Sequence, residues 1–172
     1  MKIKGEENLE VLFVCTGNTC RSPMAEGILK KLLQDQGVSA VGVSSAGICS
    51  LDNIPATPFA IQAARDENVD ISRHFSRQLT KMILDESDLV LAMASEHFDF
   101  IRRIDEEASS RAFLLKLFPR SHSESNTKRD PGVLSIKDPV GGSLAEYEKS
   151  FREIEKEVKR ILPDILKLVK KK

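Results

Sequence analysis

The hydrophobic pattern of this chain switches between a strand period and a helix period along its length, and that alternation constrains the fold more than any other feature. Leu9 to Val14 (LEVLFV) is a short apolar, partly β-branched run that predicts a buried strand. From Ser22 the spacing turns helical: Met24, Ile28, Leu29, Leu32 and Leu33 fall on one face, and Gly37 follows as a stop. Val38 to Ser45 reads as a second strand, ending at Gly47. Thr57 opens a second helix with Pro58 at its first position, running through about Glu67. Leu79 to Glu86 predicts a short third helix and Asp88 to Met93 a third strand. A fourth helix starts at Ser95 without the glutamate of a capping box. Arg111 to Phe118 gives a fourth strand, and Ser143 to about Leu168 a long last helix, broken or kinked at Pro163. Strands alternating with helices imply an α/β fold: a four-stranded parallel sheet with helices on both faces.

The 172 residues suit one domain, 1–172, with residues 1–8 and 169–172 as frayed ends. Lys170 to Lys172 reads as part of that solvated end. The longest apolar run, Leu89 to Ala94, is far short of the roughly 20 residues a membrane span needs. Met1 to Glu10 has no apolar core of a signal peptide. With 26 basic and 26 acidic residues the net charge is zero, which argues against nucleic acid as a partner. Three cysteines and no export signal point to the reducing cytoplasm, where a cysteine is more often a reactive thiol than half of a disulfide. The irregular stretch Pro119 to Gly142, rich in Ser, Asn, Pro and Gly, is long enough to be functional or mobile.

Ligands of an open parallel sheet bind beyond the carboxyl ends of its strands. The first such turn is Cys15-Thr16-Gly17-Asn18-Thr19-Cys20-Arg21-Ser22, which contains no acid and leads into a helix. A loop of this shape can turn backbone N–H groups inward and add the positive end of the helix dipole, making an oxyanion pocket. Gly17 is expected to supply a backbone conformation that other residues resist. Arg21 offers a planar donor fork for phosphate. Cys15 lies at the strand end, on the pocket floor, where the N–H groups and Arg21 are expected to lower its pKa and ready it for in-line attack on phosphorus. The leaving group needs a proton donor. Two Asp-Pro pairs occur in the long loop, Asp130-Pro131 and Asp138-Pro139. The second runs through Gly141-Gly142 straight into the last helix, which favours Asp138 as acid and then as base. A zinc site is not expected, because Cys15, Cys20 and Cys49 lack the close pair such sites use, and no cofactor is implied. Cys49 has no motif around it, and His97 and His122 are expected to face solvent.

At this point the segment VCTGNTCRSPMAE, Val14 to Glu26, resembles the signature of the low molecular weight protein-tyrosine-phosphatases. The resemblance continues in Ser45-Ala46-Gly47, in His74 to Thr80, in Asp88 to Met93, and in Asp138 to Ser143 with Tyr147. It implies the four-stranded parallel sheet, Cys15 as nucleophile, Arg21 as phosphate and transition-state binder, and Asp138 as acid and base. Thr16, Gly17, Asn18, Thr19, Cys20 and Ser22 would form the phosphate loop, with Ser22 also stabilising the thiolate. Asn18, Ser22, Ser45 and His74 would form a network that shapes it, His74 as a hydrogen-bonded structural residue. Cys20 matches a second loop cysteine able to form a reversible disulfide with the nucleophile. Phosphorylated proteins would be the partners, inorganic phosphate the product, and no metal would be required.

The departures from that pattern bear on the substrate. Tyrosine-specific members usually have leucine where Thr16 stands and isoleucine where Thr19 stands, and they carry aromatic residues after the Asp-Pro and after the second strand. Here those places hold Val140 and Ile48 to Ile54, without an aromatic. The Thr-Gly-Asn-Thr loop and the Asp-Pro-x-Gly-Gly-Ser ending look like the bacterial protein-arginine phosphatase branch. A threonine hydroxyl can hydrogen-bond a guanidinium and leaves room around it, whereas isoleucine and aromatic walls suit a phenol ring. A phosphoarginine preference is therefore expected, with a tyrosine-specific phosphatase as the alternative. An arsenate reductase of the same fold would need further cysteines late in the chain, and none follows Cys49. A phosphate-binding module without turnover would have no need of the acid Asp138.

Overall fold

The computed structural model describes residues 8–120 and 131–169. Four strands form one all-parallel sheet: β1 (Leu9–Cys15), β2 (Val41–Gly47), β3 (Leu89–Ala92) and β4 (Ala112–Leu114), in the order β2-β1-β3-β4. Around it run α1 (Arg21–Asp35), α2 (Pro58–Asp66), α3 (Lys81–Asp85), α4 (Ser95–Ile104), α5 (Pro131–Leu134) and α6 (Leu144–Val169). Successive residues of a strand point to opposite faces. Val11, Phe13 and Cys15 of β1 accordingly pack into a core with Met24 and Leu29 of α1, Ala60 of α2 and Phe151 of α6. Leu12 and Val14 face the other way, against Leu84 of α3 and Ile101 of α4. Helices thus cover both faces, as the alternation predicts, and Val14 at the centre pairs with Ala46 on one side and Ala92 on the other.

Several boundaries differ from the sequence expectation, each for a local reason. β2 begins at Val41 rather than Val38, because Val38 N–H closes α1 by bonding the Leu33 carbonyl at 2.9 Å, while Gly37 takes φ +66°. β4 is only three residues long. Arg111 instead ends a 3-10 helix, Glu107–Arg111, and its guanidinium bonds the carbonyls of Leu84 and Ser87. After Leu114 the chain turns, with Leu117 and Phe118 N–H both returning to the Leu114 carbonyl. α3 is shorter than expected because Thr80 serves as its cap, accepting from Ile83 N–H at 3.3 Å. α6 runs through Pro163 without a break, since a continuous buried face including Phe151, Ile154, Val158 and Ile161 holds it to the core. Val169 is its last residue rather than part of a frayed end. The stretch read as irregular contains the short helix α5. Asp130, His122, residues 1–7 and Lys170 to Lys172 lie outside the described residues. Among the described residues no helix is long and apolar enough to cross a membrane.

Candidate active site

The loop joining β1 to α1 is built by having its carbonyls pulled outward. The Cys15 carbonyl accepts from Ile48 N–H at 2.9 Å, Thr16 from Cys49 N–H at 3.0 Å, and Gly17 from the Ser50 hydroxyl at 3.0 Å. The Asn18 carbonyl accepts from His74 Nε2–H at 2.7 Å, and Thr19 from Thr57 N–H at 2.9 Å. A trans peptide sets its N–H opposite its carbonyl, so these contacts turn the N–H groups of residues 16–20 toward the inside of the loop. An acid-free helix start follows directly at Arg21. The result is a concave ring of donors at a helix N-terminus, suited to a tetrahedral oxyanion.

Asn18 is the hub that holds the ring. It is the residue with left-handed backbone, φ +54°, which corrects the expectation for Gly17: a side chain at Gly17 would meet only an ordinary contact 3.7 Å away. Both Asn18 Nδ2 hydrogens are spent, on Ser22 Oγ at 2.8 Å and Ser45 Oγ at 2.9 Å, while its Oδ1 accepts from Arg77 N–H at 2.9 Å. Having accepted from Asn18, the Ser45 hydroxyl donates to Glu26 Oε2 at 2.5 Å, and Arg77 Nε–H bonds the Ser45 carbonyl. His74 Nδ1 lies 3.8 Å from the same Glu26 oxygen, and burial, the leading influence, pulls the His74 pKa below its ordinary value. Glu26, Ser50 and Arg77 belong to the site but carry no assigned role in the sequence reading. Glu26 and Arg77 did leave a signal, as the last residue of the signature segment and as part of the His74 to Thr80 segment. Gly47 is a further one, since a Cβ there would sit 2.6 Å from the Thr16 carbonyl.

Cys15 Sγ lies buried on the floor. Ser22 Oγ, which accepts from Asn18, lies 2.9 Å from Sγ, within hydrogen-bond reach, and Asn18 N–H donates to Sγ at 3.2 Å. These contacts and the charge of Arg21 draw the thiol pKa down, but burial outweighs them and pushes it above its ordinary value. The expected net lowering is thereby overturned: the stabilising donors are where the sequence placed them, and the cost of burying a charge is larger.

Arg21 is also buried, and three of its N–H donors are engaged: Nη1 with the Ile136 carbonyl at 3.0 Å, and Nη2 with Thr16 Oγ1 at 3.1 Å and Asp138 Oδ2 at 2.5 Å. Asp138 stands at the mouth, half-exposed, in a turn fixed by Val140 N–H on its Oδ1. Cys15, Thr16, Gly17, Thr19, Cys20, Arg21, Asp138 and Val140 line a pocket of about 250 Å³. Cys20 is buried, its Sγ 3.4 Å from Thr57 Oγ1 and 3.6 Å from the Tyr147 hydroxyl, and Cys49 is exposed. His97 corrects an expectation: it is fully buried, not solvent-facing, and its Nε2 lies 2.9 Å from Thr16 Oγ1. Its place in the first turn of α4, directly after the central strand β3, sets it beneath the loop. Among the described residues no group of three or more His, Cys, Asp or Glu side chains is placed to hold a metal ion.

A buried thiol at the centre of an N–H ring, with an arginine and a carboxylate above it, can attack phosphorus, hold the phosphoryl oxygens and protonate a leaving group. Known proteins share this arrangement of chain. The chain is 33% identical over 160 residues to a protein-arginine-phosphatase of Bacillus subtilis (strain 168), covering 92% of this chain and 98% of the relative. It is 31% identical over 155 residues to a probable low molecular weight protein-tyrosine-phosphatase, EpsP, of Ralstonia nicotianae, covering 90% and 94%. The solved structure of the arginine phosphatase YwlE, as a cysteine-to-serine mutant with a phosphorylated active-site serine, superposes with a TM-score of 0.80 at 32% identity, covering 92% of this chain and 97% of that one. Residues 10–172 match the family described as low molecular weight phosphotyrosine protein phosphatase, and it is to this family that the chain belongs.

Proposed function

We propose that this chain is a single phosphatase domain that removes phosphate from protein side chains through a phosphocysteine, with a preference for phosphoarginine. The observation that carries the reading is the meeting of Cys15, Arg21 and Asp138 at one pocket ringed by inward N–H groups. In the first step Cys15 Sγ, its proton passed to a phosphoryl oxygen of the incoming substrate, forms a bond to phosphorus while the P–N or P–O bond breaks, and Asp138 in its acid form gives its proton to the leaving nitrogen or oxygen. In the second, Asp138 takes a proton from water, the oxygen bonds to phosphorus, and the S–P bond breaks to return the thiolate and inorganic phosphate. Arg21 and the N–H groups of Thr16, Gly17, Asn18, Thr19 and Cys20 balance the charge on the phosphoryl oxygens. Ser22 serves the sulfur, while Ser45 and His74 serve the loop. The solved structure of a relative with a phosphorylated serine in place of its cysteine supports the covalent intermediate.

The lean toward phosphoarginine rests on the pocket walls. No aromatic side chain lines the pocket among the described residues, and Thr19 and Val140 are both among its walls. A hydroxyl can hydrogen-bond a guanidinium N–H, and a phenol ring finds no flat partner there. The cytoplasm, where a free Cys15 thiol persists, suits such an enzyme. The test is kcat/KM on matched phosphoarginine and phosphotyrosine peptides, for the parent and for Thr19→Ile. We expect Thr19→Ile to shift the ratio toward phosphotyrosine by about tenfold or more. An unchanged ratio overturns the preference and leaves the tyrosine-directed alternative; turnover that survives Cys15→Ser overturns the mechanism itself.

A further inference from the structure

His97 is fully buried, and among the described residues its Nδ1 has no hydrogen-bond partner, so the polar contact of the ring falls to Nε2. Nε2 lies 2.9 Å from Thr16 Oγ1, with Glu96 Oε1 farther off at 4.0 Å, and the threonine oxygen lies 3.1 Å from Arg21 Nη2. Arg21 can only donate, so one lone pair of Thr16 Oγ1 is already taken. The proton between Thr16 and His97 has two placements. If Thr16 donated, the imidazole proton would sit on Nδ1, as a buried N–H donor without an acceptor, an arrangement that folded proteins rarely tolerate. If Nε2–H donates, Nδ1 is left as a bare acceptor and the neutral ring keeps its ordinary preferred tautomer. Burial, with the Arg21 charge nearby, takes the His97 pKa down to about 3, so the ring is neutral and must choose one tautomer.

We propose that His97 is a positioning residue: its Nε2–H and Arg21 Nη2–H fill both lone pairs of Thr16 Oγ1, so the Thr16 hydroxyl becomes a fixed donor toward the phosphoryl group and Arg21 is held in its binding orientation. The inference deepens the phosphatase reading and rests on it. Thr16 lines the pocket, and a hydroxyl with both lone pairs occupied has only its proton left to offer a ligand. Arg21 Nη2 is thereby restrained on one side by Thr16 and on the other by Asp138.

The direct test is nitrogen-15 NMR of the imidazoles in the intact protein, with turnover of an aryl phosphate measured on a double-mutant cycle. We expect His97 in the Nε2–H form at pH 7. His97→Leu should lower kcat/KM by about tenfold or more, chiefly through kcat, in the parent and by less than about twofold in Thr16→Val. His97→Gln, whose amide nitrogen reaches the same place, should stay within about threefold of the parent. An Nδ1–H tautomer, full activity in His97→Leu, or an equal loss in both backgrounds overturns the proposal. If His97→Leu does not fold, the tautomer and the His97→Gln activity decide. Cys15→Ser keeps the two levels apart: if it remains active the phosphatase site is misread, whereas an inactive Cys15→Ser beside an unaffected His97→Leu removes only the role of His97.

Discussion

Arg21 and Asp138, 117 residues apart, meet at 2.5 Å, the guanidinium buried and the carboxylate at the pocket mouth. The carboxylate occupies a donor that a phosphoryl oxygen would also claim, so the acid and the anion compete for one cation. Asp138→Asn is therefore expected to lower kcat by about a hundredfold or more while tightening inhibition by inorganic phosphate. Rapid-quench trapping should show phosphocysteine accumulating. Near-normal turnover would move the acid to Asp130.

Asn18 makes three side-chain hydrogen bonds inside the loop, to Ser22, Ser45 and Arg77. At roughly 1 kcal/mol each, with a left-handed backbone that alanine tolerates less well, Asn18→Ala should cost about 3 kcal/mol. Urea unfolding measures it, and a loss under about 1 kcal/mol would show that the loop is held by its outward carbonyls alone.

Ser22 is among the groups that draw the Cys15 thiol down against burial. Removing its hydroxyl in Ser22→Ala leaves burial less opposed, so the thiol pKa should climb further. The rate of Cys15 alkylation by iodoacetamide at pH 7 is expected to fall several-fold, and its pH profile to move to higher pH.

His97 is neutral in the folded chain down to a pKa of about 3, against an ordinary value of 6.5. Between those values the unfolded chain binds the extra proton, so stability present above pH 6.5 is lost as pH falls toward 3. The difference at pH 4.5, two units below the ordinary value, is about 2.7 kcal/mol. His97→Gln should flatten the acid limb of a denaturation-versus-pH curve by that amount; an unchanged limb would assign acid sensitivity to other groups.

Pro163 sits inside α6 with its ring exposed, and it cannot donate to the carbonyl one turn back. Pro163→Ala restores that donor and should raise stability by about 1–2 kcal/mol, read as a Tm increase of several degrees. A lower Tm would mean that the proline ring contributes packing that the helix needs.

The order of elements and the position of the phosphate loop were legible because they depend on short-range information. Apolar period distinguishes strand from helix over a few residues, and Cys15 and Arg21 lie close enough that one turn brings them together. The approach of Asp138 to the loop could be anticipated because Gly141-Gly142 and α6 follow it at once. The burial of His97 could not be read, because which face of α4 turns inward depends on the sheet it packs against. Nor could the conformation of Gly17 and Asn18. The loop's carbonyls answer to donors at Ile48, Cys49, Ser50, Thr57 and His74, which only the fold brings near. The net direction of the Cys15 pKa has the same origin: its hydrogen-bond donors are local, but the desolvation that outweighs them is a property of everything packed around the sulfur. The sequence by itself determined which groups stand in the loop after the first strand and which carboxylate precedes the last helix; the tertiary structure decided how they point and what each charge costs, because orientation and burial are summed over contacts from the whole chain.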